Sequence, residues 1–551
     1  MSPRTPARLL LPLLALGAWP AAAAAQPSAA RITAAEIDGH LRFLASDLLE
    51  GRAPATRGGR LTAEYIASQL RSAGVEPAGT GGDYFQTVPI DVVGADRSTL
   101  RATVSGRASG ELRYPEDVVV WAGSAADESR ASGELVFVGY GSAAPEYRWD
   151  DFKDVDVRGK VLLVLVNDPP APAAEPNHFG GRAMTYYGRW TYKFEEAERR
   201  GAAGMLIVHT TERAGYGWPT VVGSWAREQR MLPRDPRLPA PLGVRGWITD
   251  SAATALLGRA GLDLAALRER AARRDFRPVA TGISVDLSFR NRVEHLESEN
   301  VIGVIRGSDP ALRDEHVAFT AHWDHLGIGP PMDGDSIYNG ALDNASGVAD
   351  VLAVARAAAA LPAPRRSLLF VFVTAEESGL LGSEYFARNP VVPIERIVAN
   401  LNVDGGNLLG RSLDFRVLGD TKSTLGPMLA AQLARQGWTV SPDAFPERGA
   451  FYRSDHFSFA RAGVPAVSIA AGVEYEGRPA GWGAAQQEEY TTRRYHQPGD
   501  EYRRDFDLAG AVQLAEVVLE FGRSLANAAT VPEWNADAEF RAARPPRGST
   551  R

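Results

Sequence analysis

The stretch "SLLFVFVTAEESGLLGS", Ser367–Ser383, joins the two features that decide the fold of this chain. Six of its first seven residues are apolar, which is typical of a strand buried on both faces of a sheet. Two adjacent carboxylates, Glu376 and Glu377, follow this run, although like charges repel. A divalent cation reverses the sign of that energy because its charge dominates the local field. The stretch therefore predicts a buried strand that ends at a cation site.

The segments around this strand alternate between strand-like and helix-like patterns. The runs "HVAFTAH", "RIVANLNVD" and "VPAVSIA" are nearly continuous apolar strands, while "SGVADVLAVARAAAAL" and "GPMLAAQLARQG" have helical spacing. Such alternation predicts an α/β fold with a mostly parallel core sheet flanked by helices. In sheets of this kind, ligands bind in the crevice beyond the carboxyl ends of the strands.

Polar residues that can bind a metal ion or move a proton follow these strands or lie in the next loops. Single residues of this kind carry little weight, because an Asp before a helix is usually a cap and a His in a sheet usually packs. The interpretation depends on all of them falling at the ends of successive strands. The candidates are His322, Asp324, Asp343, Glu376, Glu377, Asp404 and His496.

The adjacent glutamates can divide the work of metal-assisted hydrolysis. Neighbouring residues at a strand end point in different directions, so one carboxylate can bind a metal while the other faces the substrate. A metal ligand and a general base are what this chemistry requires. The chain has no cysteine, so thiolate ligands, thiolate nucleophiles and disulfides are excluded. Oxygen and imidazole ligands suit zinc, with cobalt or manganese as substitutes.

Five motifs of the chain, in this order, resemble those of the co-catalytic di-zinc exopeptidases: "TAHWDHLG", "NGALDNASG", "TAEESGLLGS", "LNVDGG" and "YHQPGDEY". That family includes aminopeptidase Y, bacterial leucyl aminopeptidase and the glutamate carboxypeptidases. The resemblance covers the N-terminal helices and the chain from about Asn300 to Asn527. The segment between them, with "DVRGKVLLVLVNDP", looks like the protease-associated domain found inside such enzymes.

The resemblance implies a site that holds two Zn²⁺ ions. Asp343 would bridge both ions. His322 and Asp404 would complete one coordination sphere, and Glu377 and His496 the other.

The resemblance also implies two catalytic residues. Glu376 would be the general base that acts on the water between the ions, and Asp324 would orient the imidazole of His322. We expect two other histidines to lie outside the ligand set. His325 should point away from His322, and His456 of "RSDHFSF" should belong to the pocket wall.

The expected domains follow from the same resemblance and from changes in composition. We expect a catalytic domain made of residues 26–111 and 291–531, with an inserted β-rich protease-associated domain at residues 112–290. Residues 532–551 are rich in Pro and Arg without periodicity, and we expect a loose tail.

The N-terminus predicts export. Two arginines, an apolar stretch and a run of alanines precede Gln26, which predicts a cleaved signal peptide at residues 1–25 and a periplasmic or extracellular protein. No segment is long enough for stable membrane insertion. The formal net charge of −7 gives no reason to expect nucleic acid as a partner. The oligomeric state is open.

These patterns favour a zinc aminopeptidase that hydrolyses N-terminal residues from peptides. A glutamate-type carboxypeptidase on the same scaffold is the alternative, and it would need a cationic pocket, for which Arg453, Arg493 and Arg494 are candidates. A one-zinc glutaminyl cyclase is less favoured because the full two-metal ligand set is present. An inactive binding protein should have lost a ligand or the base, and neither is lost.

Overall fold

The structure is a computed structural model that describes residues 31–172 and 174–544. The expected signal peptide and residues 545–551 of the expected tail lie outside these ranges. Within the described ranges, no helix combines the length and apolar character needed to cross a bilayer.

The N-terminal segment that the sequence predicts to be helical contains two helices. Glu50 and Gly51 separate them, since these residues adopt positive φ angles of 50° and 67° that a helix does not allow. A short strand, a very long strand and another short strand follow. The elements are α1 (Ala34–Leu44), α2 (Arg57–Ser72), β1 (Glu76–Pro77), β2 (Phe85–Gly106) and β3 (Gly110–Glu111).

Residues 112–290 contain short strands, helices and the start of a long strand that continues to Ile305. The strands are β4 (Val118–Ala122), β5 (Glu128–Phe137), β6 (Ala143–Ala144), β7 (Trp149–Asp150), β8 (Val161–Leu165), β9 (Gly204–His209), β10 (Gln229–Met231), β11 (Val244–Thr249) and β12 (Val279–Ile305). The helices are α3 (Trp190–Arg199), α4 (Thr211–Ala214), α5 (Trp218–Trp225), α6 (Asp250–Arg259) and α7 (Leu264–Ala271).

The rest of the chain alternates between strands and helices, as its sequence predicts. The strands are β13 (His316–His322), β14 (Gly327–Met332), β15 (Asp335–Tyr338), β16 (Ser367–Val373), β17 (Ile397–Asn402), β18 (Asp414–Leu418), β19 (Thr439–Ser441) and β20 (Ala466–Ala471). The helices are α8 (Ser346–Ala359), α9 (Leu381–Arg388), α10 (Leu425–Arg435), α11 (His456–Arg461), α12 (Trp482–Arg493) and α13 (Ala509–Asn527).

One mixed sheet carries most of these strands, in the order β19-β18-β20-β17-β13-β16-β12-β5-β8-β9-β11-β4. Its centre is parallel, because β13 pairs in parallel with β16 and β17, and β17 with β20. Strand β12 pairs antiparallel with both β16 and β5 and so joins the two halves. The predicted α/β fold with a mostly parallel core sheet is confirmed.

Apolar side chains bury the sheet on both faces. Phe319 of β13 stacks on Phe370 of β16 with ring centroids 5.0 Å apart, and α8 and α13 cover them. Residues 112–290 bury two clusters that draw mainly on their own side chains, one of which includes Leu163 and Leu206. That this region is an inserted protease-associated domain stays a prediction.

Residues 112–290 pack against the rest of the chain through contacts between aromatic rings. The ring of Tyr186 lies 6.1 Å from that of Tyr452 and 5.2 Å from that of Phe457. The backbone N–H of Met184 also donates to the carbonyl of Pro446 at 3.0 Å. These contacts place one edge of residues 112–290 directly against the loop that precedes α11.

The expected loose tail is wrong for residues 532–544, which pack onto the same aromatic cluster. Trp534 is 8% exposed and Phe540 is 4% exposed. The indole of Trp534 donates to the carbonyl of Gly463 at 2.9 Å. A short segment without periodicity can still be fixed when it carries large aromatic side chains, because each ring buries a large apolar area.

Candidate metal centre

The parallel strands bring the candidate residues to one edge of the sheet. His322 is the last residue of β13, and the adjacent glutamates follow β16 by three residues. Asp404 follows β17 by two residues. Asp343 lies in the segment Ala341–Ala345, one turn before α8. Because β13 lies between β16 and β17, the carboxyl ends of all three strands meet at His322.

The carboxylate of Asp343 lies between two imidazoles. Its Oδ1 atom is 3.2 Å from Nε2 of His322, and its Oδ2 atom is 3.3 Å from Nε2 of His496. Nε2 of His322 is also 3.3 Å from Oδ1 of Asp404, and Nε2 of His496 is 3.1 Å from Oε2 of Glu377. Two groups of three donor atoms therefore share Asp343. Three protein donors leave a fourth tetrahedral position open, as in catalytic zinc sites.

His325 is a site residue that sequence reasoning missed. Its Nδ1 atom lies 2.7 Å from Oε1 of Glu377, and its ring lies 5.8 Å from that of His496. Donor atoms of His325, Asp343 and Glu377 lie within 4.8 Å of one another. His325 therefore either orients Glu377 or offers an additional nitrogen at that side of the site. The motif "HWDHLG" contains His325 as a second histidine, but the spacing of the motif does not show where the imidazole of His325 points.

Asp324 takes a different position from the one that its spacing predicts. Nδ1 of His322 lies 3.2 Å from the backbone carbonyl oxygen of Asp324 but 3.8 Å from its carboxylate. The carboxylate instead accepts hydrogen bonds from the backbone N–H groups of Glu376 at 3.0 Å and Glu377 at 3.4 Å. Strand β13 ends at His322, so the alternation of faces along the strand does not fix the direction of Asp324.

The carboxylates and imidazoles of the site shift each other's pKa values. Burial opposes a charged Asp343, but hydrogen bonds from His322 and His496 hold its pKa well below the ordinary value. Burial also opposes a charged His322, yet the neighbouring carboxylates, above all Glu376, raise its pKa well above the ordinary value. Bonds to Asp343 and Glu377 outweigh burial at His496 and raise its pKa to about 10. Since imidazole binds metal only when neutral, binding of an ion here would release protons.

Glu376 has the opposite character from its neighbour Glu377. Burial and then the nearby charges of Glu377 and Asp404 raise the pKa of Glu376 well above the ordinary value, although His322 opposes this. At Glu377, burial and the charge of Asp343 favour a higher pKa. His325 and His496 outweigh them and lower the pKa to about 2. Two carboxylates whose environments separate their pKa values are a signature of divided roles. Glu376 can hold a proton, while Glu377 stays an anionic donor.

His456 lies outside both donor groups. Burial lowers its pKa to about 3, and its ring lies 4.8 Å from that of Phe451. Asp455 beside it is also buried, which raises its pKa to about 7 despite the nearby charge of His322. The two residues therefore lie behind the donor atoms.

Comparisons with known proteins point to one family. Residues 300–522 match the family model described as Peptidase family M28. Among curated proteins, aminopeptidase NAALADL1 of Mus musculus is 36% identical over 130 residues, which are 22% of this chain and 16% of that protein. A probable leucine aminopeptidase 2 of Aspergillus oryzae is 27% identical over 241 residues, 40% of this chain and 43% of that protein. The chain thus matches less than half the length of either relative.

Similar solved structures include an aminopeptidase from Aneurinibacillus sp. strain AM-1, with a TM-score of 0.49 and 19% identity, covering 90% of this chain and 94% of that one. BSAP, a zinc aminopeptidase from Bacillus subtilis, has a TM-score of 0.40 and 18% identity, covering 89% of this chain and 94% of that one. The family match spans the strands that carry the donor atoms. The match of residues 300–522 to Peptidase family M28 confirms the resemblance to the co-catalytic zinc exopeptidases.

Proposed function

We propose that the chain is a zinc-dependent aminopeptidase that hydrolyses N-terminal residues from peptides. The shared carboxylate of Asp343 carries this proposal, because its two oxygens face different imidazoles while Glu376 lies beside them. The family match and the names of the relatives, an aminopeptidase and a probable leucine aminopeptidase, support it.

The donor set fits two zinc ions. His322, Asp343 and Asp404 would hold one ion, and Asp343, Glu377 and His496 the other. Nitrogen and carboxylate donors without thiolate suit Zn²⁺, and Co²⁺ or Mn²⁺ can occupy similar sites. Bound zinc would supply the Lewis acidity that polarises the scissile carbonyl and makes water more acidic.

The residues of the chain supply the proton transfer and its geometry. Glu376 would accept a proton from the attacking water and pass it to the amine that leaves. Its raised pKa suits this task, because a carboxylate that holds a proton more tightly than a free carboxylate is the stronger base. Asp324 would hold Glu376 in place through the backbone N–H. General acid–base catalysis of this kind is worth about 10²–10⁴-fold in rate.

A pair of arginines keeps the carboxypeptidase alternative open. Arg189 is 9% exposed, and its Nε atom is buried without a hydrogen-bond partner among the described residues. Burial, and then the positive charge of Arg453, lowers the pKa of Arg189 to about 9. Arg453 lies two residues before Asp455, and the charge of His322 acts on that carboxylate, so the arginine pair is a candidate carboxylate pocket. Of the other arginine candidates, Arg494 is engaged by Glu489.

Two matched peptides distinguish these functions. One has a blocked amine and a free carboxylate, and the other has a free amine and an amidated C-terminus. We expect cleavage of the second only, loss of turnover after chelation, and recovery with added Zn²⁺. Cleavage of the first only would favour the carboxypeptidase. Turnover that survives complete removal of metal would contradict both.

A further inference from the structure

Arg52 is fully buried, and all of its side-chain hydrogen bonds to the described residues go to backbone carbonyl oxygens. Its Nη2 atom donates to the carbonyls of Gly340 at 2.6 Å and Asp343 at 3.1 Å. Its Nε atom donates to the carbonyl of Trp323, the residue after His322, at 2.8 Å. Its Nη1 atom donates to the carbonyls of Leu44 and Asn339. One guanidinium thus ties the end of β13 to the loop that carries Asp343.

Asp500 holds the same loop from the opposite side. Its carboxylate accepts hydrogen bonds from the backbone N–H groups of Leu342 at 3.0 Å and Asp343 at 3.1 Å. Its own backbone carbonyl accepts from the N–H of Ala341 at 2.8 Å. The hydroxyl of Tyr490 donates to the carboxylate at 3.1 Å and fixes its orientation. The N–H groups of the loop therefore meet an anion while its carbonyls meet a cation.

The loop needs such external partners because its backbone is irregular. Gly340 has a φ of 55°, and Asp343 has φ and ψ of −109° and 93°, neither of which is helical. Buried backbone groups outside regular structure must find other partners, or they cost free energy. A buried guanidinium without a hydrogen-bonded carboxylate is itself costly. Burial lowers the pKa of Arg52 to about 10, opposed by the charges of Asp343 and Asp500. The guanidinium therefore stays charged at neutral pH.

We propose that Arg52 and Asp500 are positioning residues that together aim the carboxylate of Asp343 at both donor groups of the candidate metal centre. This inference rests on the proposed metal centre. Because both groups share Asp343, loosening the loop should weaken the binding of both ions together. His325 provides the contrast, since its imidazole hydrogen-bonds Glu377, which belongs to one donor group, and should affect one ion. We call the pair Arg52 and Asp500 the loop clamp.

The test measures metal binding by the full-length apoprotein rather than turnover. Wild type, Arg52→Gln, Asp500→Asn and His325→Gln are stripped of metal, checked for folding by near-ultraviolet circular dichroism, and titrated with Co²⁺ by calorimetry and visible absorption. Loss of an outer partner of a metal ligand typically weakens metal affinity by about 10–100-fold. We expect a loss of this size for both ions in the two clamp variants, and for one ion in His325→Gln.

Arg366 offers a matched control. It is also buried, at 2% exposed, but it bonds to Glu315 at 2.6 Å and to the carbonyl of Ala528 at 2.5 Å, away from the donor atoms. Arg366→Gln should lower the melting temperature while Co²⁺ affinity stays within about 2-fold of wild type. This control distinguishes a general loss of stability from a change in the orientation of the Asp343 carboxylate.

The outcomes are separable. Folded clamp variants that bind two Co²⁺ ions with wild-type affinity and spectrum would overturn the loop clamp, as would loss of only one ion. If Arg52→Gln does not fold, Asp500→Asn decides alone. Wild type that binds Co²⁺ but cleaves neither matched peptide would contradict the proposed function and leave the clamp standing. Wild type that binds no Co²⁺ would overturn both.

Discussion

The carboxylate of Asp324 accepts a hydrogen bond from the backbone N–H of Glu376, with the two atoms 3.0 Å apart. This bond joins the end of β13 to the turn after β16, its parallel neighbour. The candidate base is therefore held by the strand that also delivers His322, so that base and ligand keep a fixed relation to each other.

Glu376→Gln should abolish most turnover without loss of metal. Glu376 belongs to neither donor group, and glutamine keeps its shape but cannot take up a proton. We expect kcat to fall by about 10²–10⁴-fold. Peptide hydrolysis and metal analysis of the same sample check this. Unchanged turnover would remove Glu376 as the base.

Asp343→Ala should lose both ions, whereas Asp404→Ala should keep one. Asp343 contributes an oxygen to each donor group, but Asp404 belongs only to the group around His322 among the described residues. Metal content per chain, measured after dialysis against metal-free buffer, checks both variants. Full occupancy in Asp343→Ala would contradict a bridging role.

Arg189→Gln should change the preference for the C-terminus of the substrate if the arginine pair receives a carboxylate. A hydrogen bond to a charged group contributes about 1.5–3 kcal/mol, so KM should rise by roughly 10–100-fold for peptides with a free C-terminus. Amidated peptides should be unaffected. Arg494→Gln is the control, because Arg494 is paired with Glu489. Equal effects on both peptide types would assign Arg189 a structural role instead.

His316 should make the fold less stable at low pH. It is 6% exposed, and burial lowers its pKa from 6.5 to about 4, although Asp314 opposes this. The unfolded chain takes up a proton below about pH 6.5 but the folded chain does not, so stability present above that pH is lost as the pH falls towards 4. The free energy of unfolding should drop by about 3 kcal/mol over this range.

The contribution of His316 is isolated by comparison with His316→Gln, which cannot titrate. Urea unfolding of both proteins between pH 7 and 4.5 measures the difference, since the carboxylates contribute equally to each. Parallel pH profiles would show that His316 does not contribute.

Phe540→Ala should destabilise the protein, because the ring is buried in the cluster around Tyr186 and Tyr452. Loss of a buried phenylalanine costs about 3–5 kcal/mol. Arg541→Ala, at an exposed neighbouring position, should change the free energy of unfolding by less than about 0.5 kcal/mol. Chemical denaturation measures both variants. Equal stability of the two would mean that the tail does not contribute to the fold.

The parallel core could be predicted because its signals are local. Runs such as "SLLFVFV" in β16 are long enough to identify buried strands, and polar residues at their ends identify the edge where ligands bind. Seven candidate residues lie close together at that edge, although their chemical roles stay a prediction.

The remaining features depend on contacts between distant segments. Arg52 stands in a turn without any distinguishing pattern, and only the fold brings it to the loop of Asp343. The direction of Asp324 depends on where β13 ends, and the packing of Phe540 on partners more than eighty residues earlier. Composition and periodicity describe neighbours along the chain, so they carry no information about such contacts.

The loop clamp has a consequence for the order of events during synthesis. Arg52 emerges early from the ribosome, but Asp500 and His496 are among the last site residues to appear. A nascent chain that ends before these residues lacks His496, the last donor of the site, and Asp500, one of the two residues that hold the loop of Asp343. Capture of the proposed metal pair would therefore have to wait until translation of the catalytic region is complete, and the cellular compartment where folding finishes would decide which ions compete for the site.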